Sequence, residues 1–96
     1  MQMYFAKSSN VAELYVFAQD QQDAVSIYVS FQKLLSTSQS VGEVTRVDDG
    51  LGWKANRAVR RILKAGTRGV GMPHPKATER LTEASEWIIW HAPPNL

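Results

Sequence analysis

His74 and His91 are the only imidazoles in this 96-residue chain, and side chains that titrate near neutrality are the usual acids, bases and metal ligands. They stand in Met72-Pro73-His74-Pro75 and Trp90-His91-Ala92-Pro93. Neither belongs to a helical His-x-x-x-His pair or to another metal-ligand spacing. A metal or acid–base enzyme would need both to meet in space, with Glu79 or Glu86 as a third ligand. That stands as a remote alternative to two partly exposed histidines in a loop and at a strand end. No cysteine is present, which excludes disulfides, thiolate nucleophiles and cysteine-based zinc or iron–sulfur sites. No serine sits in a Gly-x-Ser-x-Gly context, so the nucleophile-elbow signal is missing.

Two further groupings invite chemistry. Asp48-Asp49 is a paired carboxylate that would suit metal binding or acid–base work, but an acidic turn capping the helix after it needs the same residues. We read it as that turn. The run Gly66-Thr67-Arg68-Gly69-Val70-Gly71 is spaced Gly-x-x-Gly-x-Gly, the reverse of the dinucleotide fingerprint, and it follows a helix instead of preceding one. A phosphate loop works because a helix N-terminus aims N–H groups at the anion, whereas a C-terminus presents carbonyls. The nucleotide reading is therefore set aside. So is an RNA-clamping Gly-x-x-Gly loop, which a helix must follow; Pro73 and Pro75 interrupt any helix there.

Charge is the remaining signal. The net +2 hides an uneven distribution: residues 46–80 hold nine basic side chains and three acidic ones, and no acidic residue occurs from Gly50 to Thr78. Lys54, Arg57, Arg61 and Lys64 recur at helical spacings of three, four and three, with Arg60 to the side. Arg68 extends the row if the helix continues past Gly66. Like charges at i,i+4 oppose one another by a few tenths of a kcal/mol, and helices built for solubility usually interleave glutamates. A solvated face remains one explanation, since cations near a helix C-terminus are favoured by its dipole. The others are an acidic protein surface and nucleic-acid phosphates. Arginine outnumbers lysine, which suits planar, hydrogen-bonded anion contacts. Trp53, at a helix entry behind two glycines, is expected to be exposed and joins Lys54, Arg57, Arg60, Arg61, Lys64 and Arg68 as a partner-binding candidate. Trp87 and Trp90 are expected in the core.

The elements that must position these groups follow from pattern. Met1 to Ala6 and Val11 to Ala18 read as strands joined by the turn Lys7-Ser8-Ser9-Asn10, with Leu14, Val16 and Ala18 on one face and Glu13, Tyr15 and Phe17 on the other. The second face is expected to be partly wet. Asp20 starts the first helix, with Asp23 favourable near its N-terminus. Ala24, Ile27, Tyr28, Phe31, Leu34 and Leu35 form its apolar stripe. The serine-rich run from Ser36 to Ser40 ends it. Val41 to Val47 is a strand whose polar content predicts an edge or half-exposed position. A second helix runs from about Trp53 to Ala65 with Ala55, Ala58, Val59, Ile62 and Leu63 inward, and Gly66 closes it. Gly66 to Pro75 is a loop with a short strand around Val70, and residues 75–84 are a short helix or one arm of a hairpin turning at Ser85-Glu86. Glu86 to Ala92 is a strand whose large apolar groups on both faces predict a central place.

The predicted fold is one α+β domain over residues 1–96: a small, mostly antiparallel sheet with two helices packed on it, in the order β-β-α-β-α-(β)-β. The N-terminus shows no basic stretch leading into an apolar run, and the longest apolar run, Leu14 to Ala18, is far short of a membrane span. A soluble, cytoplasmic protein is expected, with no cofactor, no metal and no membrane contact. Its predicted role is that of a non-enzymatic binding or regulatory module, an inhibitor or adaptor whose second helix meets an acidic protein. Sequence-independent binding of nucleic-acid backbone is the alternative. A free sheet edge could also pair two copies as a homodimer.

Overall fold

The computed structural model describes residues 1–8, 14–35, 42–54, 56–73 and 87–94. The turn at Ser9-Asn10, the start of the second strand, the serine connector, the segment 75–84, His74, Glu79 and Glu86 lie outside the described residues. Strands β1 (Gln2–Lys7), β2 (Leu14–Ala18), β3 (Glu43–Arg46), β4 (Gly69–Pro73) and β5 (Trp87–His91) alternate with helices α1 (Gln21–Leu34), α2 (Leu51–Lys54) and α3 (Arg57–Lys64). The sheet is ordered β3-β1-β2-β4-β5, and every described pair is antiparallel. This is the predicted α+β architecture and element order.

Register sorts the core into two halves. Tyr4 faces Val16 and Ala6 faces Leu14 across β1 and β2, while Met3 faces Phe17 and Phe5 faces Tyr15. Because side chains alternate along a strand, the first set lies against α1, with Ala18, Ala24, Ile27, Tyr28 and Val70. Met3 and Phe17 pack on the opposite side with Val59 of α3. That second face is covered in part: Phe17 is fully buried and Tyr15 half-buried, so it is only partly wet, as its aromatics predict. Each large side chain so buried contributes about 1.5–3 kcal/mol relative to exposure.

α1 begins as expected. Asp20 takes an extended backbone and its carboxylate accepts the Asp23 N–H at 2.8 Å. The stripe holds for Ala24, Ile27, Tyr28 and the half-buried Phe31, then departs from expectation: Leu34 and Leu35 are exposed and Gln32 is fully buried. Gln32 and Tyr28 both donate to the Ser8 hydroxyl, at 3.4 and 3.3 Å, so the burial of these polar groups is compensated.

The glycines around β4 serve the sheet. A side chain on Gly71 would begin 2.9 Å from the Phe17 ring and 3.4 Å from Trp87, and one on Gly69 would lie 2.1 Å from the Trp90 carbonyl oxygen. Bare backbone here lets Trp87 reach across β4 to meet Tyr15 and Phe17 of β2, with ring centroids 5.6 and 5.7 Å apart. β5 departs from prediction too. Among the described strands it is terminal, not central. Its two tryptophans find cover because helices lie on both sides of the sheet: Trp90 packs on Phe31 of α1, and Trp87 joins the α3 side, while Ile88 stays exposed. The polar strand β3 occupies the other edge, as its composition predicts.

Candidate cationic interface

The segment read as one helix is two. Asn56 adopts φ −75° and ψ 119°, outside the helical range, and its side-chain carbonyl accepts the Val59 N–H at 3.0 Å. It is a buried N-cap that ends the run of α2 and starts α3 afresh. The apolar period passes through this break, which is why the pattern conceals it.

The break redraws the charged row. Lys54 belongs to α2 and does not share a continuous helical face with the rest. Arg57, Arg60, Arg61 and Lys64 are all exposed on α3, at i, i+3, i+4 and i+7, one face of two turns. Arg60, expected to the side, is inside the row. Ala58 and Val59 are buried and Ile62 and Leu63 half-buried on the opposite side. An open groove runs along the cations, lined by all four and by Leu63.

Arg68 does not continue the row. Gly66 takes φ +72°, a left-handed turn that glycine adopts without strain, and the chain leaves the helix. Arg68 instead meets Asp23 at the start of α1: its Nε donates to Oδ2 at 3.1 Å and its Nη2 to Oδ1 at 2.5 Å. The Arg68 hydrogen bonds, outweighing the effect of burial, hold the Asp23 carboxyl below its ordinary value, and the guanidinium is raised in turn. Arg68 is thereby withdrawn from the partner-binding set.

Trp53 is withdrawn as an exposed contact. It is half-buried, edge-on to Tyr15 and Trp87 at 5.1 and 5.6 Å. Tyr15 and Trp87 also meet each other, closing a triangle of rings, and Phe5 adds to it through Tyr15. The Trp87 indole N–H is buried in this cluster with no hydrogen-bond partner among the described residues.

The other candidates resolve as structure. Among the described residues Asp48 bonds no helix N-terminus: it accepts the Met3 N–H at 3.1 Å and both Nε and Nη2 of Arg46, at 2.9 and 3.2 Å. Burial pushes its carboxyl up, but these bonds prevail and the net shift is downward. Asp49 is exposed in the turn. His91 is exposed at the end of β5, and among the described residues no group of three His, Asp or Glu is placed to hold a metal. Ser30 and Lys33 stand at a Ser-x-x-Lys spacing. Among the described residues no hydrogen bond joins them, and Lys33 lies exposed in the last turn of α1, where a cation suits the dipole.

The described ion pairs, Arg46–Asp48 and Arg68–Asp23, leave the α3 cations untouched. No described carboxylate lies within ion-pair distance of Arg57, Arg60, Arg61 or Lys64. Among the described residues no helix is long and apolar enough to cross a membrane. Comparison with family models, curated proteins and solved structures finds no match.

Proposed function

We propose that this chain is a non-enzymatic, cytoplasmic binding or regulatory module that uses the outer face of α3 to engage the acidic surface of a protein, acting as an inhibitor or adaptor. The observation that carries this reading is the set of Arg57, Arg60, Arg61 and Lys64, exposed together and paired with no described carboxylate. Within the helix these cations oppose one another as i,i+3 and i,i+4 neighbours. An anionic partner removes that opposition and gains charge-assisted hydrogen bonds from the arginine forks. The absence of cysteine fits a reducing compartment.

Binding of nucleic-acid backbone is the second reading, favoured by three of the four cations being arginine, whose planar donors match phosphate as well as carboxylate. Salt separates the two. Neutralising four phosphates gives a log–log slope on duplex DNA of about −3.6, near 0.9 per phosphate. A protein partner captured by the tagged chain from its native cell should stay bound at moderate salt. In either case Arg57→Glu with Arg61→Glu should abolish binding while the circular dichroism spectrum stays unchanged. Binding that survives this double reversal removes α3 from the function.

A further inference from the structure

Beside the cationic row lies a second hollow, of about 310 Å³, between α3 and β5, lined by Ala58, Ile62, Ala65, Thr67, Trp87 and Ile89, with Arg61 at its border. Its origin is in the sequence. α3 presents alanine at 58 and is capped by Ala65, and β4 next to β5 carries glycine at 69 and 71. Ile62 reaches the hollow from α3, but the alanines and glycines around it leave space over Ile89, which pairs with Gly71. Arg61 lines both this hollow and the cationic groove, so the two surfaces are continuous.

We propose that the partner is an acidic peptide segment carrying one large apolar side chain, seated between α3 and β5 while its neighbouring carboxylates meet Arg57, Arg60, Arg61 and Lys64; this rests on the acidic-protein reading above. Charge complementarity selects an anionic occupant. The lining selects the anchor: Ala58, Ile62, Ala65, Trp87 and Ile89 make it mostly apolar. A nucleobase would leave its edge donors and acceptors facing carbon, whereas a phenyl or alkyl group loses nothing by leaving water. A central apolar anchor surrounded by polar contacts is also how binding energy concentrates in protein interfaces.

The test uses the full chain and two fluorescein-labelled twelve-residue peptides of Glu, Asp, Ser and Gly, identical except for Phe or Ala at the centre, with a dT oligonucleotide alongside. Anisotropy should show the Phe peptide binding about tenfold tighter or more, the equivalent of burying one such side chain. Ala65→Leu, at the exposed C-cap of α3 bordering the hollow, should erase that preference by bringing the Phe peptide down to the affinity of the Ala peptide. Arg57→Glu with Arg60→Glu should weaken both peptides. Equal affinities for Phe and Ala peptides, both lost on charge reversal, would overturn the anchor and leave the acidic-partner reading standing. Binding of the oligonucleotide with neither peptide retained would overturn both.

Discussion

Asp23 and Asp48 each accept three of the described hydrogen bonds. Asp23 accepts the Gln19 N–H at 3.0 Å as well as the two Arg68 donors, while its own N–H goes to Asp20. The carboxylate thus closes the first turn of α1 and ties it to the segment between α3 and β4. Both side chains of the pair are mostly shielded, with 15% and 19% of their area exposed, so solvent screens them less than a surface pair. Asp23→Ala should therefore destabilise the fold by roughly 2–3 kcal/mol, the upper range for hydrogen bonds to charged groups. Thermal denaturation should show a drop on the order of 10–20 °C. Arg68→Lys should lose part of this, since an ammonium cannot form the two-pronged contact; a melting point unmoved by either change would refute the staple. Local pattern does not reveal this pair. Arg68 stands four residues after Lys64 and extends the cationic spacing on paper, whereas its real partner is 45 positions away, a separation that local periodicity does not register.

At the scale of elements, what was legible was whatever depends on local period: the capped start of α1, the face assignment of the hairpin, the polar edge strand. What was not legible depends on competition or on neighbours. Asn56 breaks the second helix because its amide bonds the Val59 N–H, yet Ala58, Val59, Ile62 and Leu63 keep their phase whether or not the break exists. β5 read as central because both faces are apolar, but cover on the faces comes from helices and says nothing about pairing at the edge. Gly71 follows from the same neighbourhood. Gly71→Ala should cost roughly 1–3 kcal/mol through contact with the Phe17 and Trp87 rings, with a changed near-ultraviolet dichroism; an unchanged spectrum and midpoint would show that the rings have room. On α3 the sign reverses. Arg57 is the first helical residue, where a cation opposes the dipole, and it faces Arg60 and Arg61 one turn on. Arg57→Glu should therefore stabilise the protein by about 0.5–1 kcal/mol in urea unfolding at low salt, less at high salt, even as it weakens partner binding. A destabilised variant would mean that Arg57 holds an internal contact.

At the scale of the whole molecule, two carboxylates among the described residues fasten segments far apart in sequence: Asp23 joins α1 to the chain before β4, and Asp48 joins the turn after β3 to the Met3 N–H in β1. Both are held below their ordinary value in the fold, while in the open chain an aspartate titrates near about 3.9. Between those limits the unfolded chain binds more protons than the folded one, so stability falls as pH falls. Their contribution is complete above the unfolded value and disappears as pH drops through the folded one. Over the same range the nine acidic side chains lose charge while eleven Lys and Arg keep theirs, and four of those sit together on α3, so self-repulsion grows as the staples fail. The urea midpoint should accordingly stay nearly level from pH 8 to about 5 and then fall steeply toward pH 2. Salt should restore part of the loss by screening the α3 cations, without restoring the staples. Asp23→Asn with Asp48→Asn should start lower and flatten the acid limb, because the groups whose protonation drives it are gone. A double variant that keeps the full acid slope would place the responsible carboxylates elsewhere and reduce these two bonds to local geometry.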